Sequence, residues 1–423
     1  MAQPLHVFCP VESGRPLAEL AGALVARLAR AFAIRLYRGR HEPDAMDWAR
    51  AFPLRHATAY LEDRRREGDA PRLFLLEDDA YTCEALIPPL LRFGGAVYFL
   101  DRSFNRLYQT TTIYRGEPDA FIEKMRLVHG RAGERVARET VAGRGRDAWF
   151  TEFDLIPPLA RAAALAWTTT QAHRTRLAVL GRSAACLPVP VPADRPAASS
   201  RRDGLLVFES GVDADLTDFL SAGADPFRWG RLEVIAPAWR LDAVGAIVER
   251  RAAAAAVVEK PSAPPAEWAA VADLRPDPGL GQHLDRHRTL MGGGLLALLE
   301  GPDTAHLPDA ALLRAPTAAE LGGALQRVTP EQVGQRRRSA RSFAESELTY
   351  DRVAAALEGE LLRCRDRLDA ASRRWERFAE REERLWRRRI LRWTRSRLIT
   401  QGWAGEAVEL AARELLPPGF FGR

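Results

Sequence analysis

Short apolar segments alternate with longer amphipathic segments along the first half of the chain. Four of the short segments, at 5–9, 33–37, 72–76 and 96–100, are mostly apolar or aromatic, and each is the length of one strand. The stretches Leu17–Ala31 and Cys83–Arg92 between them predict helices. Apolar strands separated by helices are typical of a parallel sheet covered on both faces.

The alternation continues through the second half after one interruption. A helix is predicted at 156–164, with strands at 166–170 and 184–189, and a segment rich in Pro, Ala and Ser follows. Beyond it, strands are predicted at 204–208, 232–235, 254–258 and 295–299, and helices at 318–327 and 336–362. We therefore expect an N-terminal α/β domain over 1–190, a linker at 191–203, a second α/β domain over 204–363 and a helical tail over 364–423.

Polar residues at the predicted strand ends are candidates for a ligand cleft. In parallel sheets, ligands bind beyond the carboxyl ends of the strands, which marks Ser13, Gly14, Glu77, Asp78 and Asp101. The acidic run at 77–79 has two interpretations, a metal-binding motif or acids at a helix N-terminus, and the second is favoured. Asp101 is either a cleft residue or the N-cap of the segment that follows it.

Composition limits the class of protein. The chain has 423 residues, with 47% hydrophobic and 28% charged residues, as expected for a globular protein of two domains. Neither an apolar run long enough to span a membrane nor a secretory signal pattern occurs in the sequence, so the expected location is the cytoplasm or its membrane face. The four cysteines are scattered, which fits neither a disulfide framework nor a zinc site.

The segment ADLRPDPGLGQHLDRHRTLMGGGLLALLEGPDTAHLPD, at 272–309, resembles the donor-site segment of a known family. That family is the retaining, nucleotide-sugar-dependent glycosyltransferases of the GT-B fold. The resemblance implies two Rossmann-like, doubly wound domains facing a cleft, with a C-terminal helical extension. It also implies transfer of a sugar from a nucleotide-sugar to a glycan, lipid or protein acceptor, without a metal or other cofactor.

The resemblance also implies roles for individual residues. Asp101 matches a catalytic Asp, while Ser13, Gly14, Glu77 and Asp78 fall on the acceptor side. The residues that fall on the donor side are Gly211, Arg275, Gly281, Gln282, His283, Gly294 and His306. Gly281 and His306 stand where the family has Glu residues that bind hydroxyl groups. A non-catalytic member of the fold, acting as a binding subunit for a partner transferase, is therefore the alternative.

Two features inside this segment have local explanations as well. The glycines at 292–294 could let a phosphate approach the backbone, although a helix C-cap and a tight turn is the favoured interpretation. His283 and His287 are four residues apart on a predicted helix, as in some metal sites, but a surface or cleft pair is favoured because no third ligand follows.

The tail is basic and rich in tryptophan. Between 373 and 397, aromatic and aliphatic residues recur near helical spacing and Arg fills much of the rest. Such a helix can dock within the protein or on a protein partner, or it can bind an anionic membrane surface. No nucleic-acid-binding module is recognisable, so nucleic acid is not an expected partner.

Overall fold

The structure is a computed structural model that describes residues 2–39, 45–60, 63, 70–145, 149, 152–193, 202–222, 229–251, 255–275, 279–301, 304–378 and 380–381. Its described part contains two parallel β-sheets, each covered by helices. The predicted α/β architecture with two Rossmann-like domains and a helical C-terminal region is confirmed.

The first sheet has seven strands in the order β3-β2-β1-β4-β5-β6-β7. The strands are β1 (Gln3–Phe8), β2 (Phe32–Arg38), β3 (Leu54–His56), β4 (Arg72–Leu76), β5 (Gly95–Phe99), β6 (Ala163–Thr168) and β7 (Ala184–Cys186). The helices are α1 (Pro16–Leu28), α2 (Asp47–Arg50), α3 (Ala80–Cys83), α4 (Ile87–Phe93), α5 (Asn105–Thr111), α6 (Pro118–Val141), α7 (Pro157–Ala162) and α8 (Gln171–Val179).

The second sheet has six strands in the order β10-β9-β8-β11-β12-β13. The strands are β8 (Arg202–Phe208), β9 (Leu232–Ile235), β10 (Ala255–Val258), β11 (Trp268–Asp273), β12 (Leu295–Leu299) and β13 (Leu312–Ala315). The helices are α9 (Asp213–Ser221), α10 (Leu241–Arg251), α11 (Leu280–Met291), α12 (Ala318–Arg327), α13 (Pro330–Glu347) and α14 (Tyr350–Arg363).

The boundaries of several predicted helices and strands differ from the observed ones, because capping residues and prolines divide segments that the apolar pattern alone would join. The helix predicted at 83–92 is divided into α3, a 3-10 turn and α4, because Asp79 caps the first piece and Pro88 opens the last. The helix predicted at 336–362 is two helices, because Thr349 caps α14 by accepting from the Arg352 amide. Strand β8 begins at Arg202, inside the segment expected to be linker.

The C-terminal helices return to the first domain earlier than the predicted boundary at 363. Helix α14 packs against α1, where Arg27 Nε donates to Asp351 Oδ1 at 2.5 Å. The indole of Trp167, near the end of β6, donates to Glu360 at 2.9 Å. Residues 365–378 are also helical, and Trp375 Nε1 donates to the Leu91 carbonyl at 2.8 Å. Docking of this part of the tail within the protein is thus observed, while residues 382–397 of the expected basic helix lie outside the described residues.

The core is continuous from the first domain into the second. Alternate residues of β8 point to opposite faces, and Leu206 and Phe208 join the cluster that extends through α11 to the first sheet. Leu205 and Val207 face the other way, into a separate cluster under α9 and α12. Apolar packing therefore ties α11, the helix that follows β11, to both domains.

Candidate functional site

The candidate site lies where the carboxyl ends of the two sheets approach each other. In each sheet the strand order reverses beside the first strand, between β1 and β4 in one and between β8 and β11 in the other. Ligand clefts of open α/β sheets form at such points. The candidate site therefore consists of the residues that follow these strands and of α11, which lies between the two edges.

Acidic side chains on the first-domain edge hold their own loops. The amides of Arg106 and Leu107 donate to Asp78 at 3.1 and 2.7 Å, so this carboxylate caps α5. The Tyr81 amide donates to Asp79 at 2.8 Å, so that carboxylate caps α3. The interpretation of the acidic run as helix-terminal acids is therefore supported for Asp78 and Asp79. No group of three or more His, Cys, Asp or Glu within the described ranges is arranged to hold a metal ion.

Burial, and after it the proximity of other carboxylates, raises the pKa values of these carboxyl groups. Burial, followed by the charge of Asp101, raises the pKa of Glu77 to about 8. Burial also raises the pKa of Asp78 to about 7, against the lowering effect of the Leu107 amide. Glu77 in addition accepts a hydrogen bond from the Thr82 hydroxyl at 2.9 Å. At neutral pH, Glu77 therefore carries a proton for most of the time and can donate as well as accept.

Asp101 connects the two domains. It follows β5, and its Oδ2 accepts from the Asp78 amide at 2.6 Å. Its Oδ1 accepts from the Leu280 amide, also at 2.6 Å, which is the first residue of α11 in the second domain. Of the two alternatives for Asp101, the N-cap of the segment directly after it is wrong, since Asp78 caps that helix and Asp101 caps α11. Burial raises the pKa of Asp101, while the two amide donors lower it.

Ser13 and Gly14 occupy the adjoining loop after β1. Both are exposed, and Gly14 adopts φ of +76°, a left-handed conformation that glycine accommodates without strain. The next residue, Arg15, pairs with Asp79 at 3.3 Å and lies over the Tyr81 ring. This contact brings the β1 loop to the β4 loop, so the predicted acceptor-side residues do share one edge of the cleft.

Arg275, the cation retained in the family-like segment, is held by carboxylates. Its guanidinium donates to Asp273 at 2.7 and 3.0 Å and to Asp285 at 3.4 Å, and it stacks on Phe208 with 3.9 Å to the ring centroid. Arg286 donates to the same Asp273 at 2.7 Å. Burial alone would raise the pKa of Asp273, but the two guanidinium groups lower it to about 2. This network anchors the β11 loop against β8.

A second cation reaches the β8 loop from elsewhere in the sequence. Arg240, in the 3-10 turn after β9, donates to Glu209 at 3.0 Å and to Asp213 at 2.8 Å. The amide of Gly211 also donates to Glu209, at 2.5 Å. Residues 203–227 around Gly211 contain no basic residue, and Arg240 belongs to the next strand–helix unit. In the sequence, the signal for Arg240 is an apolar strand followed by Pro-Ala-Trp-Arg. The strand order of the sheet is needed to place that segment beside β8.

Four histidines gather beside α11. His283 and His287 have ring centroids 5.8 Å apart, and His306 is 6.4 Å from His287. Burial lowers the pKa of His283 most, and His173, at the start of α8 in the first domain, adds a smaller lowering effect. The pair at 283 and 287 therefore belongs to a larger cluster at the junction of the domains, in agreement with the cleft interpretation.

The two donor-side glycines of the family-like segment, Gly281 and Gly294, lie in different parts of the second domain. Gly281 is exposed in the first turn of α11, with no atom within 4 Å of a side chain added there, and Gln282 follows it. Gly294 precedes β12 and therefore lies at the amino end of that strand, away from the cleft. Its amide donates to the Thr289 carbonyl, and Gly293 adopts φ of +67°. These are the contacts of a helix C-cap and tight turn, which is the favoured interpretation from sequence.

A polar cavity of about 540 Å³ opens on the second domain beside the edge strand β13. Two arginines in its wall are committed to the backbone, Arg314 to the Thr304 and Leu307 carbonyls and Arg336 to the Asp309 and Leu312 carbonyls. The lining residues are Glu300, Gly301, Asp309, Leu312, Arg314 and Arg336.

No protein-family model and no curated protein matches this sequence. Solved structures do match the fold. The Anabaena protein HepE, determined in complex with UDP and glucose, is 11% identical with a TM-score of 0.52, over 85% of this chain and 100% of that chain. A UDP-N-acetylglucosamine 2-epimerase is 12% identical with a TM-score of 0.48, over 86% of this chain and 96% of that one. AviGT4, a glycosyltransferase involved in avilamycin A biosynthesis, is 13% identical with a TM-score of 0.46, over 85% and 98%.

The likeness to HepE, together with the two sheets, defines the fold class of this chain. Two Rossmann-like domains whose carboxyl edges face a cleft, with C-terminal helices returning to the first domain, are the GT-B fold. At such low identity the likeness establishes architecture and leaves the chemistry to the site residues. Within the described residues, no helix combines the length and the apolar character needed to cross a membrane.

Proposed function

We propose that this chain is a GT-B glycosyltransferase that transfers a sugar from a nucleotide-sugar donor to a glycan, lipid or protein acceptor. The observation that carries the proposal is the N-terminus of α11, which faces the cleft and already holds a carboxylate, that of Asp101. Free amides and the helix dipole favour an anion at this position. A nucleoside diphosphate leaving group is such an anion, and its charge must be stabilised as it departs.

On the donor side, we propose that the diphosphate approaches the first turn of α11 at Gly281 and Gln282. The amides of a helix's first turn have no partner within the helix, and the exposed Gly281 leaves room for close approach. Gly211 and Arg275 would border the nucleotide at the ends of β8 and β11, while His283 and His306 would face the sugar. No metal or other cofactor is part of this proposal.

On the acceptor side, we propose that Asp101 acts as the catalytic carboxylate. A diphosphate at Gly281 and Gln282 would lie beside the Leu280 amide that Asp101 holds, and its negative charge would displace the carboxylate into the cleft. Glu77 and Asp78, with raised pKa values, and the exposed Ser13–Gly14 loop would border the acceptor hydroxyl. Closure of the two domains around both substrates would exclude water from the reaction.

The first experiment is thermal stabilisation of the purified chain by uridine, guanosine, adenosine and thymidine diphosphates and their sugar conjugates. HepE was solved with UDP, which makes the uridine compounds the first to test. A ligand that prefers the native state raises the midpoint, so one responsive nucleotide identifies the donor class. No shift with any nucleotide would refute a donor site.

Turnover distinguishes the transferase from the non-catalytic alternative. Release of nucleotide from the stabilising donor, with Asp101→Asn inactive and Asp119→Asn active, supports the transferase. Asp119 is an exposed residue in the first turn of α6 and serves as the matched control. Stabilisation without release, for any acceptor offered, would instead support a binding subunit for a partner transferase.

We further propose that residues 373–397 dock a protein partner or an anionic membrane surface on the cytoplasmic side. Trp375 is already committed to the Leu91 carbonyl, which leaves Phe378, half-exposed, and the residues after it for this role. Sedimentation of the full chain with phosphatidylserine vesicles at low salt tests the membrane arm. Retention in the supernatant at every lipid concentration would eliminate it.

A further inference from the structure

The polar cavity beside β13 lies along an edge of the second sheet. In the strand order β8-β11-β12-β13, this edge is two strands beyond β11. The cavity of about 540 Å³ is lined by β13, by the residues that end β12 and by Arg336 of α13. All of its lining residues belong to the second domain, and the proposed function assigns a role to none of them.

The backbone of β13 has hydrogen-bonding groups that face away from β12. The Glu300 amide, directly after β12, donates to the Ala315 carbonyl at 2.8 Å, so Ala315 faces β12. Successive residues of a strand alternate in direction, and Leu312 and Arg314 therefore face outward. In agreement, the Leu312 carbonyl accepts from Arg336 Nη1 at 2.6 Å. Within the described residues, nothing bonds the backbone N–H and C=O of Arg314, so the edge offers one donor and one acceptor.

Arg336 supplies a positive charge at the amino-terminal end of β13. Its Nη1 donates to the Asp309 and Leu312 carbonyls at 2.7 and 2.6 Å. The carboxylate of Asp309 is paired with Arg314 at 2.8 Å, and no carboxylate in the part of the chain that the structure describes pairs with Arg336. Its Nε is buried without a partner. The N–H groups of Nε and Nη2 are the parallel pair with which an arginine binds a carboxylate at two points.

Glu300 supplies the opposite charge at the carboxyl end of β13. Its amide bonds Ala315, the last residue of the strand, and its exposed side chain forms no ion pair within the described ranges. At about 3.3 Å per residue, Leu312 and Ala315 are roughly 10 Å apart along the strand. The cavity therefore has a cation at one end, an anion at the other, and the open backbone groups of β13 between them.

We propose that this cavity binds the end of an extended peptide, with the free carboxylate of the peptide paired to Arg336. The length of β13 accommodates about three peptide residues. The peptide runs antiparallel to β13, because its carboxylate lies at the amino end of the strand and its positive group lies near Glu300. The backbone of the peptide bonds the N–H and C=O of Arg314, as in other peptides that add a strand to a sheet edge. Glu300 and Asp309 line the same cavity, so a single negative charge is favoured over a phosphate dianion.

The test is calorimetric titration of the full-length chain with tri-alanine and with its C-terminally amidated form. Amidation removes the carboxylate and weakens binding by about tenfold to a hundredfold, the value of a hydrogen bond to a charged group. Arg336→Gln weakens tri-alanine by a similar factor and leaves the amidated peptide unchanged. Arg338→Gln is the matched control, because Arg338 is exposed on the same helix and does not line the cavity. Equal affinity of wild type for the two peptides would overturn the inference.

Two sources have this chemistry, a free short peptide and the C-terminus of a partner protein. N-acetyl-tri-alanine separates them, because it keeps the carboxylate and lacks the ammonium group. Weaker binding after acetylation, with a similar loss for tri-alanine in Glu300→Gln, assigns the cavity to a free peptide. Unchanged binding after acetylation assigns it to a protein C-terminus, and N-acetyl-Lys-Ala-Ala then binds more tightly than N-acetyl-tri-alanine, since its ammonium group reaches Glu300.

Hydrogen exchange in the wild-type chain keeps the test independent of folding defects in the variants. Tri-alanine slows exchange of the segment 312–315, because a new hydrogen bond protects the outward amide of Arg314. The segment 255–258, which is β10 at the opposite edge of the same sheet, exchanges at an unchanged rate.

The negative outcome has a defined meaning. If tri-alanine does not bind at high millimolar concentration, or binds without slowing exchange at 312–315, the inference is overturned. Arg336 then only covers the edge strand, as charged side chains do at other sheet edges. The proposed function is unaffected by that result, since none of its residues lines this cavity.

Discussion

The hydrogen bond from the Leu280 amide to Asp101 is the contact most open to a direct energetic test. It joins residues from different domains at 2.6 Å, and it uses a backbone donor that an ordinary side-chain substitution does not remove. Proline removes it. Leu280 is the first residue of α11, where proline is tolerated, and Gly279 has φ of −80° and ψ of 178°, which suits a residue before proline.

The perturbation is therefore Leu280→Pro, with Leu280→Ala as the matched control. Leu280 is 3% exposed, so both substitutions lose its packing, at a cost of about 2–5 kcal/mol. Only proline also removes the amide hydrogen and puts ring atoms in its place. A hydrogen bond to a charged group contributes about 1.5–3 kcal/mol, so Leu280→Pro should be less stable than Leu280→Ala by about this amount.

The assay is urea unfolding followed by tryptophan fluorescence, since each domain has one fully buried tryptophan, Trp167 and Trp268. The same two substitutions are then made in an Asp101→Ala background, where the acceptor is already absent. The difference between proline and alanine should fall to within about 0.5 kcal/mol there, the usual limit of additivity. An equal difference in both backgrounds would refute the contact between Asp101 and α11.

Three further predictions concern the pH dependence and the tail. The folded-state pKa of Glu77, about 8, is above its ordinary value, so its stabilising contribution is lost as pH rises from about 4.5 to 8. The variant Glu77→Gln should therefore gain stability relative to wild type between pH 5 and 9. A stability difference between the two proteins that stays constant with pH in urea unfolding would contradict this. The pKa of His173, about 3, is below its ordinary value, so its contribution to stability is present above about pH 6.5 and is lost as pH falls. The free energy of unfolding of wild type relative to His173→Leu should therefore fall by roughly 2 kcal/mol from pH 8 to 5. A difference that does not change with pH would count against a buried neutral ring. Trp375→Ala, which removes the hydrogen bond to the Leu91 carbonyl, should destabilise the first domain by about 1–3 kcal/mol. Phe378 is half-exposed, so Phe378→Ala should change the stability by less than about 0.5 kcal/mol. Equal effects of the two substitutions would show that the helix over 365–378 does not dock on the first domain.

Much of the two-sheet architecture could be predicted from local pattern. Strands β4, β9 and β12 have the predicted bounds, because a buried parallel strand is a continuous apolar run ended by polar residues. Strand β13 and the long helix α6 were not predicted. The apolar run Leu312–Ala315 is too short to be recognised as a strand. The residues of α6 are on average so polar that the apolar face of this helix cannot be recognised from the sequence pattern.

The candidate site was predicted in part. The acidic residues after β4 and β5 do meet at one edge, as strand adjacency requires, and Arg275 and His283 do lie beside the same cleft. The partners of these groups could not be predicted. Arg240 joins Glu209 across 31 positions, because β9 lies next to β8 in the sheet.

By itself, the sequence determined which segments are strands and helices and which polar residues end them, because apolar periodicity and capping act over a few residues. Only the tertiary structure decided that Asp101 caps a helix 179 positions further on and that His287 contacts the Val189 carbonyl. The physical reason is that hydrogen bonding and burial depend on distances in space between side chains. Those distances are set by how the two sheets pack around α11, and no local pattern in the chain encodes them.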